Sequence, residues 1–187
     1  MNTALLIIDV QNDYFPDGKM ELEGSPEAAI KARKVLDVFR KMGKPVVHIQ
    51  HLSLRPGSTF FIPDTKGAEI HESVKPIPGE MVIQKNYPNS FRDTPLLGYL
   101  KQENINKLVI AGMMTHMCVD ATVRAAFDLG FQCTLLHDAC ATRALGFGGE
   151  IIPAGHVHGA FISALAAVYA RAVCSEDFIK EAENSQF

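Results

Sequence analysis

The sequence has 187 residues, of which 47% are hydrophobic and 21% charged. This length predicts one domain spanning residues 1–187, with enough apolar material for a substantial core. The net charge of −3, the pI near 6.1 and the lack of a basic cluster argue against a nucleic-acid or membrane surface. The first apolar run is too short to span a bilayer and lacks a basic leader, so we expect a cytoplasmic protein. Four cysteines without a CxxC pair argue against a disulfide framework or zinc knuckle.

Apolar runs alternate along the chain with amphipathic segments. The runs predict strands at residues 3–10, 45–50, 80–85, 108–111, 132–137 and 170–174. The amphipathic segments predict helices at 25–43, 94–104, 119–130 and 153–169, with a terminal helical turn from Ser175. The glycine-rich segment 144–152 is expected to be irregular. This alternation predicts an α/β fold with three α/β/α layers around a six-stranded, mainly parallel, doubly wound sheet.

The stretch from Leu108 to Gly130 carries the strongest functional signal. An apolar strand ends at Gly112, and a helical pattern begins near Cys118 and stops at Gly130. Ligands of open parallel sheets bind at the carboxyl ends of the strands. A thiol at a helix N-terminus is favoured as thiolate by the helix dipole, so we expect Cys118 to have a lowered pKa. The alternative is that Cys118 is a small buried residue at a packed junction.

Two further charged residues stand at strand ends. Asp9 closes the first apolar run and Lys85 closes the third. Each could simply mark a strand terminus, but a parallel sheet would bring both to the same edge as Cys118. Together they supply the groups needed for acyl transfer: a thiol nucleophile, a carboxylate that moves protons and an ammonium that stabilises negative charge. Backbone N–H groups in the turn before the helix could bind the oxyanion.

Other thiol and histidine arrangements compete with this interpretation. His116 could pair with Cys118, although its side chain should lie on a different side of the turn. Cys140 could be a second reactive thiol in the loop after the fifth strand. His48 and His51 flank the end of the second strand but should point to opposite faces, which makes them a poor joint metal site. The long loop 52–78 is expected to cover a site or form an interface.

Four segments resemble one enzyme superfamily. They are LLIIDVQNDY (5–14), the strand ending at Lys85 with NYPNSF (86–91), GMMTHMCVDATVRAAFDLGF (112–131) and HDACAT (137–142). Together they are similar to the isochorismatase-like cysteine hydrolases, the superfamily of nicotinamidase and N-carbamoylsarcosine amidohydrolase. The resemblance implies Asp9, Lys85 and Cys118 as a catalytic triad. It also implies a cis peptide between Met113 and Met114, with the backbone amides of Met114 and Cys118 as the oxyanion hole.

Two departures from the family patterns refine this expectation. Nicotinamidases carry an Asp-x-His…His metal site, where this chain has His51, Ser53 and Thr59. We therefore expect no metal and no cofactor, as in a metal-free group that includes streptothricin-hydrolase-like members. Isochorismatases proper, which cleave a vinyl ether, lack the nucleophilic cysteine, so Cys118 favours hydrolysis of a C–N bond.

The sequence thus predicts a metal-independent cysteine amidohydrolase acting on a small amide, lactam or ureido compound. Pocket walls are expected to include Tyr14, Phe91 and Met117. A homodimer or larger homo-oligomer is expected, with the loop Phe60–Pro63 as interface material. The alternatives are a vinyl-ether hydrolase and a non-catalytic binding or assembly protein on the same fold. A nucleotide-binding domain is disfavoured because VQNDY replaces the GxGxxG turn after the first strand.

Overall fold

The computed structural model describes residues 2–184, which are built around a six-stranded parallel sheet. In spatial order its strands are β3 (Met81–Lys85), β2 (Val46–His51), β1 (Asn2–Ile8), β4 (Ile105–Met113), β5 (Gln132–Ala141) and β8 (Arg171–Val173). All neighbouring strands run parallel, which confirms the predicted doubly wound sheet. Strands β6 (Leu145–Phe147) and β7 (Glu150–Ile152) form a separate antiparallel hairpin.

Within residues 2–184, five α-helices cover the two faces of the sheet. They are α1 (Ser25–Lys41), α2 (Leu96–Gln102), α3 (Asp120–Asp128), α4 (Ala154–Val168) and α5 (Ser175–Asn184). Apolar residues of α1 and α5 share one core cluster with the sheet, and those of α2, α3 and α4 share the other. The protein therefore has the three layers that the sequence predicts. Across residues 2–184, no helix combines the length and apolar character needed to cross a membrane.

The central strand β1 shows why a continuous apolar run forms here. Leu5 and Ile7 point into the core beneath α1 and α5, whereas Leu6 and Ile8 point into the opposite core. All four side chains are at most 2% exposed. Full burial of such a side chain contributes about 1.5–3 kcal/mol. A strand buried on both faces can therefore be apolar at every position.

The sheet order reverses between β1 and β4, which places the ligand-binding crevice at their carboxyl ends. β4 passes very close to β1 at this point. Gly112 has φ +137°, and a Cβ atom there would overlap the backbone carbonyl of Ile8. Glycine is therefore required where β4 enters the crossing that leads to Cys118.

Two segments differ from the sequence-based expectation. β5 continues to Ala141 instead of ending at His137, because a register shift between Ile110 and Gly112 lets it resume pairing with β4. Cys140 is consequently buried in a strand, not in a polar loop. The segment expected to be irregular forms the β6–β7 hairpin, whose turn residues Gly148 and Gly149 both have positive φ.

Candidate active site

The structure brings together the three residues predicted to form a triad. Asp9 follows the end of β1, Lys85 is the last residue of β3, and Cys118 lies in one π-helical turn (Thr115–Val119) between β4 and α3. All three are buried: Asp9 is 0%, Lys85 2% and Cys118 5% exposed. Lys85 extends past the end of β2, so that its Nζ lies 2.7 Å from Asp9 Oδ2. The sheet edge therefore carries a buried ion pair beside a thiol.

Lys85 is held by several acceptors. Its Nζ donates to Asp9 Oδ2 and lies 3.1 Å from His51 Nδ1. The carbonyl oxygens of Tyr87 and Pro88 lie 3.1 Å and 3.3 Å from the same nitrogen. Burial alone would lower the pKa of Lys85, but the charges and hydrogen bonds of Asp9 and Cys118 together outweigh burial and raise it. Lys85 therefore keeps its proton and its positive charge, while its N–H groups donate hydrogen bonds.

Asp9 is available to the thiol through one of its two oxygens. A carboxylate oxygen of Asp9, a ring nitrogen of His51 and the Cys118 sulfur all lie within 4.8 Å of one another. Oδ2 accepts the hydrogen bond from Lys85, whereas Oδ1 is buried without a hydrogen-bond partner among the described residues. Oδ1 is thus the oxygen that remains free to accept a proton.

The expected lowering of the Cys118 pKa is wrong for the resting protein. Burial raises the pKa of the thiol, the Asp9 carboxylate raises it further, and Lys85 opposes both only in part. The π-helical turn continues directly into α3, so Cys118 lies inside the first turn of the helix and not ahead of it. The free protein therefore holds Cys118 as a thiol, and its proton must leave when the sulfur reacts.

The DVQND segment contains two positioning residues that the sequence analysis did not identify. The Gln11 side chain donates to the carbonyls of His51 and Ala68, and it accepts from the His51 N–H at 2.7 Å. Asp13 Oδ2 accepts from the Phe61 N–H at 2.6 Å. These buried side chains fix the backbone around the site. Polar residues at alternate positions after a buried strand were the signal available in the sequence.

A pocket of about 250 Å³ opens beside Cys118. Tyr14 and Met117 line it, as predicted, whereas Phe91 does not. The Phe91 ring instead stacks on Phe131 at 6.0 Å and packs against the core. Phe61, expected at an interface, is 1% exposed and packs 4.5 Å from Tyr14. The other lining residues come mainly from the loop after β2: His51, Ser53, Leu54, Arg55, Ser58, Phe60, Phe61, Asn86, Pro88, Met114 and Cys118.

The turn before Cys118 has the predicted backbone form. The peptide bond between Met113 and Met114 is cis. His116 is engaged away from the thiol: its Nδ1 is hydrogen-bonded to the Thr142 hydroxyl, and its ring meets Phe161 edge-on. The alternative Cys118–His116 pair is therefore not formed.

Among residues 2–184, Asp9, His51 and Cys118 form the group of ligand-type side chains close enough to hold a metal ion. The Lys85 ammonium already contacts both Asp9 and His51, so a metal cation there would face a like charge at short range. His48 does not join this group. Its Nε2 lies 2.8 Å from Glu80, on the side of the sheet where Arg40 pairs with the same carboxylate. A metal ion held by Asp9, His51 and Cys118 would therefore lie beside the Lys85 ammonium.

The site is that of an α/β protein whose doubly wound parallel sheet brings a thiol, a carboxylate and an ammonium together at its ligand-binding edge. The chain belongs to the isochorismatase family, because the Isochorismatase domain model matches residues 3–175. An uncharacterized isochorismatase family protein, YddQ of Bacillus subtilis (strain 168), is 52% identical over 96% of this chain and 100% of its own.

A solved structure and an enzyme with a named substrate agree with this assignment. A crystal structure of an isochorismatase-family protein from Oleispira antarctica is 48% identical, covers 96% of each chain and superposes with a TM-score of 0.92. Streptothricin hydrolase of Streptomyces noursei is 38% identical over 74% of this chain and 49% of its own. The predicted family and fold are confirmed, and the protein is a hydrolase of this family.

Proposed function

We propose that the protein hydrolyses a C–N bond of a small amide, lactam or ureido compound through a covalent intermediate on Cys118. The observation that supports this is the buried cluster of Cys118, Asp9 and Lys85, of which Cys118 lines a pocket with both apolar and polar walls. Two related hydrolases support this proposal. One is streptothricin hydrolase, and the other, at 28% identity, is the ureidoacrylate amidohydrolase of Caulobacter segnis, whose name specifies a ureido substrate.

In the proposed first half-reaction, the Cys118 thiol is neutral until substrate arrives. Asp9 Oδ1 takes the thiol proton as the sulfur attacks the carbonyl carbon, and a C–S bond forms. The backbone N–H groups of Met114 and Cys118 bind the resulting oxyanion. The C–N bond then breaks, and the leaving nitrogen takes the proton from Asp9. Lys85 keeps Asp9 in place and compensates its charge throughout.

In the second half-reaction, water cleaves the thioester. Asp9 accepts a proton from the attacking water and returns it to the Cys118 sulfur as the C–S bond breaks. The products are a carboxylic or carbamic acid and the free thiol. Every group required for this sequence comes from the chain itself, so we propose that the protein uses no metal or cofactor.

The test is a screen of small primary amides, lactams and N-carbamoyl compounds, read by product formation in the wild-type protein and its variants. Cys118→Ala should abolish turnover, and Asp9→Asn should reduce it about 10²- to 10⁴-fold because the proton acceptor is lost. Cys140→Ala is the matched control: it removes another buried thiol, in β5, and should keep turnover. Substantial activity of Cys118→Ala on a substrate of the wild-type protein would refute the proposal.

A further inference from the structure

The protonation state of His51 follows from its contact with Lys85. An ammonium has three donors and no acceptor, so the His51 Nδ1 that lies 3.1 Å from Lys85 Nζ must be unprotonated. Burial lowers the pKa of His51, and the charges of Lys85 and Arg55 act in the same direction against Asp9. The ring is therefore neutral and carries its single proton on Nε2. Because His51 lines the pocket, it offers the substrate an N–H donor.

A second donor stands on the same wall. Arg55 lines the pocket four residues after His51, and it is not among the arginines that form salt bridges within residues 2–184. None of the described residues that line the pocket is acidic. The nearest carboxylate, Asp9, is neutralised by Lys85. The pocket therefore presents a cation and a neutral N–H donor without a countercharge of its own.

We infer that His51 and Arg55 form an anion-recognition wall, and that the compound hydrolysed carries a carboxylate or similar anionic oxygen group near its scissile bond. Guanidinium and imidazole N–H groups are the donors that carboxylates accept from most strongly. This inference rests on the proposed function, since it names the substrate class of the same site. Gln11 supports it by clamping the backbone of His51 from both sides.

The test uses two alkylating probes of nearly the same size and shape, of which one is a carboxylate and the other a neutral amide. Iodoacetate and iodoacetamide both react by forming a bond from the Cys118 sulfur to their CH₂ carbon, while the C–I bond breaks and the thiol proton leaves through Asp9 to solvent. The measured quantity is the ratio of the two alkylation rates at Cys118, followed by peptide mass spectrometry. This ratio cancels the intrinsic reactivity of the thiol, which both probes share.

Arg55→Met should lower the iodoacetate-to-iodoacetamide ratio about threefold to fivefold, the size expected for a partly exposed ion pair. Arg55→Lys keeps the charge and should hold the ratio within about twofold of wild type. Arg33→Met is the matched control, because it removes an exposed cation of α1 that pairs with Asp37 outside the pocket. An unchanged ratio in Arg55→Met, or an equal fall in Arg33→Met, would overturn the inference.

The His51 tautomer has its own readout. The ¹⁵N spectrum of wild-type protein at pH 7 should show His51 protonated at Nε2 alone, and the Nε2 resonance should differ between the carboxymethyl and carbamidomethyl adducts of Cys118. A proton on Nδ1, or identical Nε2 resonances in both adducts, would contradict the recognition role. Neither experiment requires turnover. Anion recognition by His51 and Arg55 can therefore be refuted while amide hydrolysis is found. It can equally be supported while no amide is hydrolysed.

Discussion

Replacing Lys85 by methionine tests how much stability is lost when the buried Asp9 carboxylate has no positively charged partner. The side chains of Lys85 and Asp9 are both 0% exposed, and their charged atoms are 2.7 Å apart. Lys85→Met leaves the Asp9 carboxylate buried without a countercharge, and it removes the donor to the Tyr87 carbonyl. Breaking a buried pair in this way costs about 3–5 kcal/mol. We expect a loss of this size in the free energy of unfolding, measured by urea denaturation at pH 7.

A double-mutant cycle separates the energy of the charge interaction between Lys85 and Asp9 from the effect of the changed side-chain volume. Asp9→Asn alone leaves an unpaired ammonium, whereas Asp9→Asn with Lys85→Met removes both charges. The double variant should therefore lose at least about 2 kcal/mol less than the sum of the two single losses. Lys75→Met, at an exposed Lys75–Glu72 pair, is the control and should change stability by less than about 0.5 kcal/mol. Additive losses, or a Lys85→Met effect no larger than the control, would refute the reasoning.

Three further predictions concern metal dependence, assembly and acid stability. Activity should survive dialysis against EDTA, and elemental analysis should find no stoichiometric zinc, iron or manganese; loss of activity with removal of a bound metal would contradict this. Light scattering should show at least a dimer, with the contact at the β6–β7 hairpin, where Phe147 is 81% and Ile151 72% exposed. Phe147→Ser should weaken the dimer, whereas Ile30→Ser on α1 should leave it unchanged. A wild-type monomer at micromolar concentration would contradict the prediction. Although burial opposes it, hydrogen bonds from Arg40, the Ile77 N–H and His48 lower the pKa of Glu80 from 4.5 to about 2. Because the folded-state pKa is the lower one, the stability advantage of wild type over Glu80→Gln in urea denaturation should shrink from pH 5 to pH 2; a constant difference would contradict it.

The sequence predicts most of the sheet and the meeting of Asp9, Lys85 and Cys118 at one edge. Short apolar runs bounded by turn residues are typical of strands buried in a parallel sheet, and polar residues that follow such strands meet at the same edge. This pattern accounts for Asp9 after β1 and for Cys118 in the turn after β4. β3 is less apolar, with Val82 and Gln84 exposed, so Lys85 was indicated only by its place at a strand end, and the pairing of β4 with β1 is seen only in the structure.

Features that depend on contacts between distant segments could not be predicted in this way. Gln11 reaches His51 across 40 positions of sequence, and only the folded loop reveals that contact. The position of Phe91 depends on Phe131, which lies beyond α3. The pKa of Cys118 depends on complete burial beside Asp9, whereas the sequence indicates only a nearby helix start. The β6–β7 hairpin was missed because its strands have three residues each.

In the proposed mechanism, Cys118 carries the acyl group during turnover. The most direct measurement is intact-mass spectrometry of the protein after acid quenching with a substrate identified in the amide screen, followed by peptide mapping. A mass increase equal to the acyl part of the substrate, located on the peptide that contains Cys118 and absent in Cys118→Ala, is the result we predict. Rapid turnover without an adduct, together with wild-type rates in Cys118→Ala, would contradict the account.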